Sequence, residues 1–537
     1  MPRYWIVLGV VPCLLAACGG RRQAATGPVV GGAKKETVAE VDRREPIDLP
    51  IKPIKGLSAS WFKDGSRVST PPEMEDQVFP LQYTKIPGVL TFRGNNTRTA
   101  PSYGTADVKR KRLTLVWRYG TGVSRGGRWG GGAGWTGQPA LVRWPKALRE
   151  SMNIRSPYRT LDSFTEVIQG SLAGQVYFLD LLTGKPTRPP IPVGNPIKGS
   201  VSVDPRGYPM LFVGDGIPES GSFGFRLYSL IDQKLLRFFD NRGGGGLRSW
   251  GANDSSALFN GSTDTLVVGS ENGLFRRVKL NTRYDRTKNT IRIDPEVVSL
   301  QYRTPNTKEQ GIENSVAAFR NLAYFNNNSG DLMCVDLRTM RPVWYRFVSD
   351  DTDASTVIDA GNDGSIAIYT GCEVDKQGTK GRSFFRKIDG KTGALLWEQS
   401  FRCYTILGEH PVNGGLLATP VLGKKKSSNL VVLSLARFES INGGLVVALD
   451  RKTGKEVWRL PLKNYPWSSP VDFYDQEGNM YLIQCNSVGE MRLIEGATGR
   501  ELDRLDLGIN IEASPAMFGN RIVVAGRGTT VFGVRVD

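Results

Sequence analysis

One short element recurs in this chain, and it limits the fold more than any other feature: an apolar strand ending in an acid, a Thr-Gly turn, then a strand carrying Trp. The clearest copy is Leu445-Val-Val-Ala-Leu-Asp450-Arg-Lys-Thr453-Gly454-Lys-Glu-Val-Trp458. Close copies run from Asp389 through Thr392-Gly393 to Trp397 and from Asp336 through Thr339-Met340 to Trp344, with weaker ones at Asp180-Leu-Leu-Thr183-Gly184 and Glu495-Gly-Ala-Thr498-Gly499. The acid-to-glycine spacing is constant, as hairpin chemistry requires: the carboxylate accepts bonds from turn amides, and glycine tolerates positive φ. The Trp of the following strand is placed to pack on the neighbouring unit, worth on the order of 3 kcal/mol when well buried. Trp344, Trp397 and Trp458 are therefore candidate blade-docking residues.

A second element gives the count. Short strands with a small polar residue near their start begin at Gln138, Ser200, Ser255, Ser315, Ser355, Thr419, Ser469 and Ser514, with gaps of 62, 55, 60, 40, 64, 50 and 45 residues. Each gap holds four short strands and their loops, and small residues suit strands crowded around an axis. Eight such units predict an all-β, eight-bladed β-propeller of four-stranded antiparallel blades. The last unit runs out of chain after Ala516–Phe518, Arg521–Ala525 and Val531–Val536. Its missing outer strand is available at Leu113–Tyr119, which carries Trp117, so the N-terminal strand should close the ring and remove the open sheet edges. Sustained helical periodicity between strands is absent, which argues against an α/β fold.

The start of the chain reads as an address. A basic Arg3, an apolar run from Tyr4 to Leu15 and the sequence Leu15-Ala16-Ala17-Cys18 are too short to span a bilayer and resemble a bacterial lipoprotein signal, with cleavage leaving a lipidated Cys18. Residues 1–17 are then signal peptide, 18–53 a flexible tether, 54–112 a segment packing on the propeller, and 113–537 the propeller itself. Each buried lipid CH₂ adds about 0.8 kcal/mol, so several acyl chains would hold the protein to a membrane without inserting it.

The repeat resembles the pyrroloquinoline-quinone (PQQ) type, found in quinoprotein alcohol and glucose dehydrogenases and in propeller lipoproteins of outer-membrane assembly. The resemblance covers about Phe92 to Asp537, and Phe92-Arg-Gly-Asn-Asn-Thr-Arg98 resembles the opening of many such bacterial propellers. It speaks for fold more than for activity. It implies, for the methanol-type enzymes, adjacent cysteines, a catalytic Asp and a calcium; no adjacent cysteines occur here. It implies, for the soluble glucose dehydrogenases, a catalytic His. The one histidine, His410, sits in the Gly/Pro-rich stretch Gly408-Glu-His-Pro-Val412, with nothing to mark it as a base. A single imidazole also excludes a His-rich metal centre, and no Cys-x-x-Cys-His haem motif is present.

The residue two before each strand marker should ring one mouth of the axial funnel. This places Thr136, Lys198, Asn253, Glu313, Asp353, Leu417, Trp467 and Glu512 together, a polar pocket for a sugar, a small cation or a partner's side chain, weighed against ordinary solvated funnel residues. The net charge of +18 favours anionic surfaces, but export argues against nucleic acid. Cys372 and Cys403 fall in one repeat of an exported chain and are a possible disulfide; Cys334 and Cys485 read as buried thiols. The expectation is a monomeric, non-catalytic cell-envelope lipoprotein with no catalytic or metal residues and no cofactor, acting as a scaffold for a protein partner. The alternatives are a PQQ- and calcium-dependent dehydrogenase, or a carbohydrate- or cell-wall-binding module.

Overall fold

The structure, a computed structural model, describes residues 45–123, 132–306, 310–375, 377–408 and 412–537. The signal segment, Cys18, most of the tether and His410 lie outside the described residues. Eight antiparallel sheets form eight blades, each running from an inner strand at the axis to an outer strand at the rim. The inner strands are Ala140–Val142, Ser202–Val203, Leu258–Asn260, Ala317–Phe319, Val357–Ala360, Val421–Leu422, Val471–Tyr474 and Ala516–Phe518, defining blades one to eight. The inner strands are short and mostly buried, whereas outer strands such as Leu235–Asp240 alternate towards solvent.

The ring closes as expected. Leu113–Gly120 pairs antiparallel with Thr530–Val536, Trp117 opposite Gly533, and becomes the outer strand of blade eight. Trp117 then docks blade eight on blade one: its indole N–H donates to the Leu181 carbonyl at 3.0 Å, and its ring covers Gly184. The same joint repeats around the ring, with Trp344 on Gly393, Trp397 on Gly454 and Trp458 on Gly499, and indole bonds to the carbonyls of Gly390, Arg451 and Gly496. The turn glycines have φ of 68 to 75°, and a Cβ at any of them would meet the indole at 2.9 Å or less. Glycine is thus required twice over, by the turn and by the Trp. In the glycine-bearing turns the acid accepts from the Thr, as Asp450 does from the Thr453 N–H and hydroxyl, both at 2.8 Å, whereas Asp336 accepts from Arg338 instead. Met340 occupies the glycine position of its turn at φ 54°.

The small polar markers have a role beyond size. The backbone N–H of one blade donates to the hydroxyl of the next: Gln138 to Ser200, Ser256 to Ser315, Ser315 to Ser355, Ser355 to Thr419, Thr419 to Ser469 and Ser469 to Ser514, at 2.7 to 3.4 Å. Hydroxyls therefore stitch six of the eight junctions between inner strands, and at the junction of blades eight and one Gln138 Nε2 donates to the Pro515 carbonyl instead.

The axis is not hollow. Residues 88–103 enter between the inner strands and bond to every blade. Val89 pairs with Leu141 of blade one, and the Leu90 carbonyl accepts from Val203 of blade two. Phe92 N–H donates to Ser256 Oγ, Asn96 exchanges bonds with Ala318, and the Thr97 carbonyl accepts from Ile358. The buried Arg93 guanidinium donates to the carbonyls of Pro420 and Pro470, and Ser102 pairs with Met517 of blade eight. Arg98, equally buried, donates to the carbonyls of Phe92, Ser256 and Val316. Inner-edge backbone groups cannot go unpaired away from water, and this segment satisfies them. Burial without a carboxylate partner lowers both guanidinium pKa values, Arg93 to about 10 and Arg98 to about 9.

Two sequence expectations need correction. The tether is already docked before its expected end at residue 53: Ile47 exchanges two backbone bonds with the Asn321 side chain, and Asp48 pairs with Arg338 at 2.8 Å. The hairpin Ser58–Lys63 and Ser66–Val68 then extends blade three outward, and Trp61 donates to the Met340 carbonyl of blade four. Cys372 and Cys403 are not bridged; both are free and buried, as are Cys334 and Cys485. The Cys372 sulfur instead accepts the Phe384 N–H at 3.4 Å, within its own sheet ladder. Among the described residues no helix is long and apolar enough to cross a membrane.

Candidate functional site

One mouth of the axis opens as a funnel, a cavity of about 210 Å³ with Phe92 of the axial segment in its lining. Each blade contributes the residue two before its stitched marker: Thr136, Lys198, Asp254, Glu313, Asp353, Leu417, Trp467 and Glu512, in blade order. Seven of these eight are the residues that the sequence pattern names. The exception is Asn253, which does not face the funnel: its side chain is buried in the blade, donating to Gly269 O and accepting from Asn241 and Ser270. The cause is the doublet Ser255-Ser256. The ring bond is made by Ser256, so the correct count lands on Asp254, and in extended chain a slip of one residue points to the opposite face.

The arrangement around the mouth is uneven. Blades three to five supply a contiguous acidic arc of Asp254, Glu313 and Asp353, and blades six and seven a contiguous apolar arc of Leu417 and Trp467. Two groups of carboxylates back the acidic arc, Asp254 with Glu271 and Glu313, and Asp353 with Asp351 and Glu373, the oxygens of each group within 4.8 Å of one another. Glu271 and Glu373 follow the second strands of blades three and five. Their place behind the acidic arc escapes a pattern built on the residues that precede inner strands; an acid two residues past the second strand is the signal that would find them.

Charge compensation reaches only part of the arc. Lys198 is ion-paired with Asp254, and its Nζ lies 3.8 Å from Glu271. Arg248 reaches Glu271 at 3.0 Å and Glu313 at 3.5 Å, and Arg527 reaches Glu512 at 3.4 Å. Lys198 and Arg527 both lie over the ring of Trp135, 5.3 and 4.4 Å from its centroid. Among the described residues no Lys or Arg forms an ion pair with Asp351, Asp353 or Glu373. Burial and then Glu313 push Asp353 up to about 8, and burial pushes Asp254 to about 6 against the pull of Lys198. Glu271, Asp351 and Glu373 are raised well above ordinary carboxylates for the same reason. Burial would depress Lys198, but Asp254, Glu271 and Glu313 more than reverse it.

The lining does not fit the quinone that the repeat family implies. Its volume is below the about 300–1,000 Å³ of cofactor-sized sites. Four carboxylates and one ammonium line it, so a tricarboxylate would meet mainly like charge.

Residues 442–536 match the family model described as outer membrane protein assembly factor BamB. No curated protein matches the chain. Among solved structures the chain is similar to BamB from Moraxella catarrhalis, at 14% identity over 79% of this chain and 97% of that one, with a TM-score of 0.44. It is similar also to the quinohemoprotein alcohol dehydrogenase from Comamonas testosteroni, at 14% identity over 84% and 80%, TM-score 0.42. A computationally designed protein, Ika8, matches at 13% identity over 78% and 100%, TM-score 0.45. The architecture of the chain is that of an eight-bladed β-propeller, and the match to the family model lies within residues 442–536.

Proposed function

We propose that the protein is a non-catalytic scaffold of the bacterial cell envelope, anchored by lipid at Cys18, that binds a protein partner at the funnel mouth. The observation that carries this reading is the form of the axis: a segment bonded to all eight blades fills the channel, and above it one residue per blade converges on a single open mouth. A rigid ring presenting eight side chains from distant parts of the sequence is suited to recognition, and the filled axis gives no through-channel. The match of residues 442–536 to an outer-membrane assembly factor supports the envelope and assembly part of the reading.

Crosslinking and pull-down from native envelope fractions tests it. The full chain should capture an envelope protein, and replacing Glu313, Asp353 and Glu512 together by Ala should abolish capture with an unchanged far-UV circular dichroism spectrum. Undiminished capture by the triple variant would remove the funnel from the reading; capture of no envelope protein would overturn the scaffold itself. Metabolic labelling with a radioactive fatty acid should mark the wild type and not Cys18→Ala.

A further inference from the structure

We infer that the funnel recognises a cation carried on an apolar stem, the ammonium or guanidinium of a Lys or Arg side chain on the protein partner. This rests on the funnel-binding reading above and gives it a chemistry.

Three independent features of the mouth converge on that group. The first is the order of side chains around it. The acids Asp254, Glu313 and Asp353 come from three consecutive blades, and Leu417 and Trp467 from the next two, so a charged arc and an apolar arc lie side by side rather than intermixed. A bare metal ion would use only the first arc; a long basic side chain uses both, its N–H donors on the acids and its stem along Leu417 and Trp467.

The second is an unsatisfied acceptor. Glu271 is only 3% exposed, yet its Oε1 has no hydrogen-bond partner, and it lies in the group formed with Asp254 and Glu313. Arg248 bonds the other oxygen, Oε2, at 3.0 Å, and Lys198 Nζ stands 3.8 Å from Oε1. Asp254 Oδ1 is likewise buried without a partner. A buried carboxylate oxygen short of donors is costly; Asp254 lines the mouth with Glu271 behind it, and an N–H donor entering there meets the Asp254 carboxylate.

The third is size. At about 210 Å³ the cavity suits one side chain rather than a cofactor. Lys198 and Arg527 are already held against Trp135 and their acids on the opposite wall, so the internal cations leave the blade-five and blade-seven sides of the mouth to the incoming group.

The test is ligand-observed saturation-transfer NMR on the full chain, with the capped tripeptide Ala-Lys-Ala, its Arg analogue and the uncharged isostere Ala-norleucine-Ala as probes. The Lys or Arg peptide should bind at least tenfold more tightly than the norleucine peptide. The double variant Glu313→Gln with Asp353→Asn should weaken it tenfold or more, and Trp467→Ala should weaken the basic and norleucine peptides alike. Asp363→Asn, at an exposed turn of blade five, should change nothing. Glu313→Gln alone, a single isosteric change, provides the same comparison if the double variant does not fold. Equal affinity for the norleucine peptide, or calcium ions displacing the basic peptide at equimolar concentration, would overturn the inference. In the pull-down above, capture that survives the charge-neutralising double variant but fails with Trp467→Ala would sink the cationic ligand and leave the scaffold standing.

Discussion

Replacing Trp117 by Ala tests whether the ring is held shut at a single joint. Trp117 is 8% exposed, its indole lies against Gly184 and Gly533, and its N–H donates to Leu181. A buried Trp removes about 150–250 Å² from water, or about 4–6 kcal/mol at about 25 cal/mol/Å², of which Ala keeps a small part. Truncations of this kind cost about 3–5 kcal/mol, and the lost indole bond adds about 1 kcal/mol, so the expected destabilisation is about 4–6 kcal/mol. Equilibrium unfolding in guanidinium chloride, followed by far-UV circular dichroism, reads this as a lowered midpoint. Gly184→Ala approaches the joint from the other side: its Cβ would stand 2.5 Å from the indole at a φ of 68°, and it should also destabilise, by about 2 kcal/mol or more. A cost below about 1 kcal/mol for Trp117→Ala, or one no larger than for the half-exposed Trp250, would refute the claim that this contact closes the propeller.

Three further outcomes are expected. Arg98→Met strips the bonds to Phe92, Ser256 and Val316 and should cost about 3–5 kcal/mol in the same unfolding assay, whereas a cost under about 1 kcal/mol would mean that the axial segment is not a structural fastener. Asp353, with an unfolded value of 3.8 and a folded one of about 8, keeps its proton in the folded chain across that interval, so its contribution to stability falls as pH rises from about 4 to about 8 and then levels off; the melting temperature of Asp353→Asn should pull ahead of wild type over this window, and a pH-independent difference would contradict it. Alkylation in the native state should spare Cys334, Cys372, Cys403 and Cys485, whose thiols burial pushes up, while denaturation without reductant should expose all four to reagent; mass spectra showing Cys372 joined to Cys403 would be decisive against free thiols.

Much of the scaffold is legible in the sequence because its signals are local. The Asp-to-Gly turn spacing and the Trp that follows act within a dozen residues, and their hydrogen bonds are made largely inside that window. Ring closure is legible for a related reason: a blade short of one strand and an unpaired Trp-bearing strand elsewhere imply each other. The funnel residues are legible as far as strand phase is certain. At Ser255-Ser256 it is not, because both serines satisfy the pattern and only the bond from Ser256 to Ser315 tells them apart. Glu271 and Glu373 carry only a weak signal, an acid two residues past a second strand, and it gains meaning only when the blades are bent around an axis.

The repeating unit, the number of units and the joints between them are written in the order of residues, because turns, alternation and aromatic docking are properties of short stretches of chain. Tertiary structure alone decided what fills the axis and what faces the mouth. Arg93 and Arg98 find their acceptors on carbonyls up to 377 residues away, and backbone carbonyls carry no side-chain signature by which a sequence could announce them. The charge of the funnel is likewise a sum over blades, and a sum of that kind acquires its meaning only when the eight inner strands share one centre.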